Sequence, residues 1–364
     1  MISVVIAAGG TGGHLVPALA IAEAVERIDP AARISFVGVG RSLEASLLPG
    51  YRTHTTNVKP FRRDLRGVLA PLSLVPATSR ARAILREERA SVVVGMGGYA
   101  SVPVVAAARL GGIASVVHEA NAVPGLGNEV CALFTSNVAV SFEAAQAAFR
   151  RRRPRLIGVP LRRSIATLDR DAARADAVRA FDLDPNARTI LVLGGSLGAA
   201  RVNAAVGDLA SRWSSRSDVQ LLWSTGAAHA TTVTVPSGVL RVRTHPFIER
   251  MDLAYAAADV VVARGGASTI AELAAVGLPS VIVPLPIARR KEQHANARAL
   301  AASGGAVVIE DGDATGERLD DTLGRLFGDR GRLDEMAAGA RRVARPHAAD
   351  EMAEWILALG KGAA

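Results

Sequence analysis

G-G-T-G-G at positions 9–13 separates a β-branched apolar run (2–8) from an Ala- and Leu-rich stretch, and His14 follows the last glycine directly. Glycines between a strand and a helix let the backbone close on a ligand. The helix start behind them offers free N–H groups and the positive end of a dipole. Phosphate is the usual guest of such a turn. The grouping recurs at 95–98, 194–198 and 265–266, and four such turns in one chain point to a phosphate- or diphosphate-bearing ligand. A dinucleotide is disfavoured. The first turn lacks G-x-G-x-x-G, and the second strand ends FVGVGRS with no acid to hold a ribose.

His14 can be read as a residue that fills space at a helix start. Placed where a phosphate-bearing substrate docks, its imidazole can also accept a proton near neutral pH. Glu119 and Asn121 end the strand-like run ASVVHEAN, and polar residues at the C-terminal tip of a parallel strand face the ligand crevice. His118 beside them reads as a packed residue more readily than as a base. In ARGGASTIAELAAVGLP, Gly265 and Gly266 form a turn, Ser268 and Thr269 can cap the helix that follows, and Glu272 lies about a turn further on, within reach of a sugar diol. No cluster has metal-ligand spacing, and neither a metal nor an organic cofactor is expected.

These residues need elements to hold them. Strand-like runs at 2–8, 33–39, 91–96, 114–119 and 136–141 alternate with helix-like runs such as 14–28, 77–89 and 101–110. The second half starts afresh with TILVLGG (189–195), followed by 219–225, 239–245, 259–264 and 279–285. Short β-branched runs with longer helical stretches between them predict an α/β chain of parallel sheets with crossover helices. The 49% hydrophobic and 4% aromatic content agrees, since buried strands of this kind need Val, Ile and Leu under Ala-rich helices. The Arg- and Pro-containing segment 150–164 reads as a linker. It divides the chain into domains at 1–160 and 161–345. DEMAEWILALG (350–360) predicts an amphipathic helix, so 346–364 is expected to pack back on the first domain.

The net charge of +9 suits nucleic acid, an anionic membrane or a phosphorylated substrate equally. Apart from 150–155 and 162–163 the arginines are dispersed, and no aromatic stacking platform accompanies them, so a nucleic-acid partner is not expected. Cys131 is the single cysteine, in the apolar stretch EVCALF, and reads as a buried small residue of a reducing compartment. No signal peptide or membrane-spanning helix is predicted.

The segments GGTGGHLVPALA (9–20), GMGGYASVP (95–103), HEANAVPGLGN (118–128), GVPLR (158–162), GGSLGAARVN (194–203), RGGASTIAE (264–272) and EQHANARAL (292–300) together identify a family. The chain resembles the MurG family of peptidoglycan N-acetylglucosaminyltransferases, which convert lipid I to lipid II. The resemblance implies a GT-B fold, two Rossmann-like domains with parallel sheets facing across a cleft. It implies UDP-N-acetylglucosamine as donor, held by the second domain. Ile248 would meet the uracil through its backbone and Glu272 would hold the ribose. Ser196 and Arg162 would contact the diphosphate, the helix start Ala267, Ser268, Thr269, Ile270 and Ala271 would cover phosphates and sugar, and Gln293 would bind sugar hydroxyls. Thr11, Gly12, Gly13 and Asn121 would close over the donor from the first domain. The acceptor would be undecaprenyl-linked lipid I, and its 4-hydroxyl would displace UDP with inversion. His14 is the leading candidate for the base and Glu119 the second. The chain departs from the commonest family pattern at Ala120, Val159, Leu197 and Glu292.

A lipid-linked acceptor gives meaning to KPFRRDLRGVLAPLSLVPATSRARAILR (59–86), which mixes Arg with apolar residues. Such a patch can lie on an anionic bilayer, placing a peripheral protein at the cytoplasmic face of the cell membrane. The competing reading is another UDP-sugar enzyme of this fold, a lipid or natural-product glycosyltransferase or a UDP-sugar epimerase, with the same donor and a different partner molecule.

Overall fold

The computed structural model describes residues 1–9, 12–40, 48–56, 70–194, 199–229, 237–286 and 290–362. They form two compact units, Met1–Arg162 with Pro346–Ala364, and Arg163–Arg345.

The first unit runs β1 (Ser3–Ala7), α1 (Gly12–Ile28), β2 (Arg33–Gly38), β3 (Arg52–Thr55), α2 (Ala70–Glu87), β4 (Val92–Gly95), α3 (Gly98–Leu110), β5 (Ala114–Glu119), α4 (Leu126–Cys131), β6 (Asn137–Val140), α5 (Glu143–Gln146), a 3-10 turn (Ala147–Arg152) and β7 (Arg155–Leu156). The strands pair in parallel in the order β3-β2-β1-β4-β5-β6-β7. β1 and β4 are buried along their whole length. That is what a β-branched run does when helices cover both faces of its sheet. The order reverses between β1 and β4, and a crevice opens at the carboxyl ends of strands where a doubly wound sheet reverses. Ala7 pairs with Gly95 across that point, so the glycine turns after the two strands are neighbours.

The second unit runs α6 (Arg163–Ala166), α7 (Arg170–Ala180), β8 (Arg188–Leu193), α8 (Ala200–Arg212), β9 (Val219–Ser224), β10 (Arg241–His245), α9 (Met251–Ala257), β11 (Val260–Ala263), α10 (Ala267–Val276), β12 (Ser280–Ile282), α11 (Glu292–Ala302), β13 (Ala306–Val308), α12 (Gly316–Gly328) and α13 (Arg330–Arg342). Its strands are parallel in the order β10-β9-β8-β11-β12-β13. The reversal here falls between β8 and β11, the strands that lead to the glycine-containing segments 194–198 and 265–266 of the sequence. Residues 195–198 lie outside the described set.

The last helix, α14 (Ala348–Gly360), belongs to the first unit. Met352, Ala353 and Ile356 share a buried cluster with Ile2, Val4, Leu15 and Ile21, and Arg27 of α1 pairs with Asp350. Gly360 ends so close to Ile2 that a Cβ there would stand 3.0 Å from the Ile2 side chain.

The segment 150–164 is not the plain linker read from its composition. It carries the end of the 3-10 turn, the edge strand β7 paired with β6, and the start of α6. Its arginines sit on ordered backbone, with Arg155 stacked 4.1 Å over the Trp355 ring.

Candidate active site

His14 lies two residues into α1, half-buried, over the turn that leaves β4. Gly97 and Gly98 have φ of 97° and 70°, the left-handed region in which a Cβ is costly. Space is the second constraint. A Cβ at Gly97 would come within 3.3 Å of His14 Nε2 and 3.0 Å of Asn128 Nδ2, and one at Gly98 within 3.5 Å of the His14 ring. The glycine pair is thus the seat of the imidazole. The Ser101 hydroxyl ties this turn to β1, accepting from Gly97 N–H at 3.1 Å and lying 2.9 Å from the Ala7 carbonyl.

The His14 pKa is lowered from the ordinary 6.5. Withdrawal from solvent outweighs the Glu119 charge and a hydrogen bond to the Gly9 backbone, both of which raise it. His14 is therefore neutral at pH 7 and able to accept a proton. Gly9, just past the end of β1, and the glycine pair after β4 both lie against its ring.

Glu119 is 2% exposed at the tip of β5. Its Oε1 accepts from Asn121 N–H at 2.8 Å and Asn121 Nδ2 at 3.2 Å. Its Oε2 accepts from Gly125 N–H at 3.0 Å and Asn128 Nδ2 at 2.8 Å. With four donors on it, this carboxylate, the second candidate for the base, also holds the structure around it. It organises the loop 120–125 and supplies negative charge facing His14. Asn121, half-buried, is fixed by the same carboxylate. Asn128 escaped the reading of the sequence. It bridges Glu119 and the His118 carbonyl from α4. Gly127 beside it lets α4 close on the β4 turn, since a Cβ there would stand 2.5 Å from the Gly98 carbonyl oxygen. Gly12, half-buried, and Gly13, exposed, open α1 beside His14, whereas Thr11 lies outside the described residues.

His118 is a packed residue. Its Nε2 donates to the Gly158 carbonyl at 2.8 Å, its Nδ1 is buried with no partner among the described residues, and burial takes its pKa down to about 4. Cys131 is buried, and burial pushes its thiol up to about 12, so it is unreactive. Arg162 faces Glu23 of α1, where its charge opposes the rise that burial imposes on the Glu23 carboxyl.

In the second unit Gly266 is the N-cap of α10, and no side chain caps the helix. This corrects the reading of Ser268 and Thr269 as caps. Both lie inside the first turn, and the Ser268 hydroxyl is buried with no partner among the described residues. Ala267 and Ile270 are buried and Ala271 is half-buried. The helix start therefore presents backbone N–H groups and a hydroxyl at the carboxyl end of β11. Gly265 is forced by packing, because a Cβ would stand 2.5 Å from the Gln293 carbonyl oxygen. Asn296 Nδ2 donates to the Gly265 carbonyl at 3.1 Å. Gln293 accepts from Leu285 N–H at 3.0 Å through Oε1, which directs its amide nitrogen as the group able to meet a ligand. Arg264, before the turn, donates to the Val283 carbonyl at 3.1 Å and to Asp311 at 2.5 Å. Glu272 accepts from the Tyr255 hydroxyl at 2.7 Å. Ile248 is buried on the segment between β10 and α9, next to Phe247, which is 60% exposed. Ser196 lies outside the described residues.

One acidic–histidine group escaped the spacing argument because its members are far apart in sequence. His54 Nε2 lies 2.7 Å from Glu88 Oε1, with Glu87 adjacent. Arg52 occupies the same carboxylate oxygen at 3.2 Å, so the group is an ion-pair cluster built around Glu88.

Residues 4–140 match the glycosyltransferase family 28 N-terminal domain, and 189–352 match its C-terminal domain. A UDP-N-acetylglucosamine–N-acetylmuramyl-(pentapeptide) pyrophosphoryl-undecaprenol N-acetylglucosamine transferase of Saccharopolyspora erythraea is 43% identical over 359 residues, covering 98% of this chain and 93% of that protein. The protein of the same name from Streptomyces coelicolor is 41% identical over 352 residues, 95% of each chain. This chain belongs to the MurG family. The crystal structure of Acinetobacter baumannii MurG superposes with a TM-score of 0.79 at 29% identity, over 98% of this chain and 99% of that one. The fold is thus GT-B, built from two parallel-sheet α/β units. A UDP-GlcNAc 2-epimerase from Neisseria meningitidis shares the fold alone, with a TM-score of 0.67 at 11% identity.

Proposed function

We infer that this protein transfers N-acetylglucosamine from UDP-N-acetylglucosamine to the 4-hydroxyl of the muramyl residue of undecaprenyl-linked lipid I, making lipid II for peptidoglycan. The observation that carries this reading is identity above 40% with transferases of that name along nearly the whole chain. The reaction is a single displacement with inversion. The acceptor hydroxyl forms a bond to the anomeric carbon, the bond from that carbon to the β-phosphate oxygen breaks, and UDP leaves. The hydroxyl proton passes to His14, which is neutral at pH 7 and held beside the glycine turns that suit the acceptor diphosphate.

The second unit binds the donor. The uncapped start of α10, with the Ser268 hydroxyl, meets the diphosphate and stabilises the charge it gains as it leaves. Glu272 takes the ribose hydroxyls, Gln293 a sugar hydroxyl, and Ile248 with the exposed Phe247 the base. Gly12, Gly13, Asn121, Arg162, Thr11 and Ser196 complete the contacts, as the family resemblance assigns them. No metal or organic cofactor takes part in this scheme.

The protein works as a peripheral protein on the anionic cytoplasmic face of the membrane. None of the described helices is long and apolar enough to cross a bilayer. In support of a surface attachment, Leu126 and Leu133 are 58% and 69% exposed. Leu133 lines a pocket of about 560 Å³ with Arg150, Arg151 and Arg152. Much of 59–86, the other basic–apolar segment, lies outside the described residues.

The test is transfer of labelled N-acetylglucosamine from its UDP donor to a short-chain lipid I analogue, with a simple lipid alcohol as parallel acceptor. Transfer to the muramyl acceptor alone is expected. UDP-sugar binding with transfer only to other acceptors would move the protein to the competing glycosyltransferase reading. Sedimentation with anionic and with zwitterionic vesicles tests the membrane attachment, and equal pelleting with both would remove the electrostatic part of it.

A further inference from the structure

The carboxylate of Glu272 is oriented from outside its own helix. Tyr255 lies on α9, fully buried, and its hydroxyl donates to Glu272 Oε2 at 2.7 Å. This phenol has no freedom to swing away. Ala254, Ala256 and Ala257, its neighbours on α9, are buried with it, and α7 clamps the end of α9. Arg170 Nε donates to the Tyr255 carbonyl itself at 3.2 Å, Arg170 also bonds the Ala258 carbonyl, and Arg174 bonds the Ala257 carbonyl at 3.1 Å. The backbone that carries the ring is therefore fixed by two guanidinium groups. Burial, reinforced by the Glu272 charge, also holds the phenol well above its ordinary pKa, so the hydroxyl is a donor at every working pH.

A carboxylate that recognises a vicinal diol must present its oxygens in one plane. Left to itself a half-exposed glutamate samples several terminal torsions, and fixing it on binding costs affinity. A donor that occupies one lone pair of Oε2 removes that freedom beforehand. We propose that Tyr255 is a positioning residue for donor recognition, its buried hydroxyl fixing the Glu272 carboxylate so that it accepts from the ribose hydroxyls of a uridine diphosphate. The proposal rests on the donor-site reading given above for Glu272. It assigns to Tyr255 no contact with the donor.

The test compares UDP with 2′,3′-dideoxy-UDP by calorimetry on the full-length protein and its Tyr255→Phe variant. The substitution removes one oxygen and keeps the ring that fills the core, and a thermal melt verifies folding. Tyr255→Phe is expected to weaken UDP about 5–15-fold, because the ribose hydrogen bonds to the carboxylate are weakened and not lost. It should change dideoxy-UDP binding less than about twofold on the same scale. In turnover, KM for the donor should rise with kcat nearly unchanged. In a Glu272→Ala background, adding Tyr255→Phe should cost no further UDP affinity, because the two residues act through one carboxylate. Equal weakening of both nucleotides, or additive losses in the double variant, would mean that Tyr255 serves packing alone, and would overturn the proposal. If the unmodified protein binds UDP and dideoxy-UDP equally, the ribose assignment of Glu272 itself fails, and the proposal falls with it.

Discussion

Replacing Glu119 by Gln changes a single atom pair and tests how the loop beside His14 is built. The carboxylate accepts two donors on each oxygen, from Asn121 N–H and Nδ2 on one and from Gly125 N–H and Asn128 Nδ2 on the other. An amide has one oxygen. Whichever way it is turned, two donors face an NH2 group. Each hydrogen bond to a charged group is worth about 1.5–3 kcal/mol, so the first unit should lose at least about 3 kcal/mol. For a unit of this size that lowers its melting temperature by roughly 6–12 °C. A second effect acts on the chemistry. Glu119 raises the His14 pKa against the burial that lowers it, so removing the charge lets the pKa fall further. The acid limb of kcat/KM should then move to lower pH while the plateau rate drops, because a weaker base is a poorer proton acceptor. Calorimetry and a pH–rate profile with a lipid I analogue read both effects. A melting temperature within about 2 °C of the parent, together with an unmoved acid limb, would refute the account of Glu119 as the group that holds the loop and charges the histidine.

His14→Ala should lower turnover about 10²–10⁴-fold with an unchanged melting temperature, and near-normal turnover would remove it from the role of base. Glu272→Ala should weaken UDP binding by about 1.5–3 kcal/mol, read by calorimetry. Gly127→Ala should destabilise the first unit, since its Cβ would meet the Gly98 carbonyl at 2.5 Å. Gly12→Ala, with nothing within 4 Å of the added atom, should fold normally and reveal any ligand contact as a raised KM. His118 predicts a pH dependence of stability. Its pKa is about 4 folded against 6.5 unfolded, so the unfolded chain binds the extra proton between those values. The contribution is complete above about pH 6.5 and is lost as pH falls towards 4, amounting to about 3 kcal/mol. Urea midpoints of the parent and of His118→Gln across that window should converge as the pH drops.

The sequence displayed strands that are buried on both faces, because burial demands an unbroken β-branched run. ASVVHE coincides with β5, and SVVIA lies inside the run read at 2–8. The strands it hid are the sheet edges β3, β7 and β13, composed of RTHT, RL and AVV and partly exposed, where neither hydrophobic continuity nor alternation is imposed. Glycine turns were visible because their residue type is itself the signal. The roles of Asn128 and Tyr255 were not, since each depends on a partner nine or seventeen positions away that only packing supplies. The start of α10 was misplaced by two residues because Ser and Thr suit a cap by propensity, whereas the turn of Gly265 and Gly266 begins the helix earlier.

The placement of α14 bears on how the chain is made. The first unit is interrupted in sequence, and its core joins Ile2 and Val4 to Met352 and Ile356. A ribosome delivers the strands of that unit early, yet their covering helix is translated only after the whole of the second unit. The second unit, continuous from Arg163 to Arg345, has all its residues before that helix exists. Synthesis order and completion order are therefore reversed for the two halves. Until α14 has emerged, the nascent protein carries an uncovered apolar face beside its own first strand, which makes delivery of that helix the step at which the amino-terminal half becomes safe from aggregation.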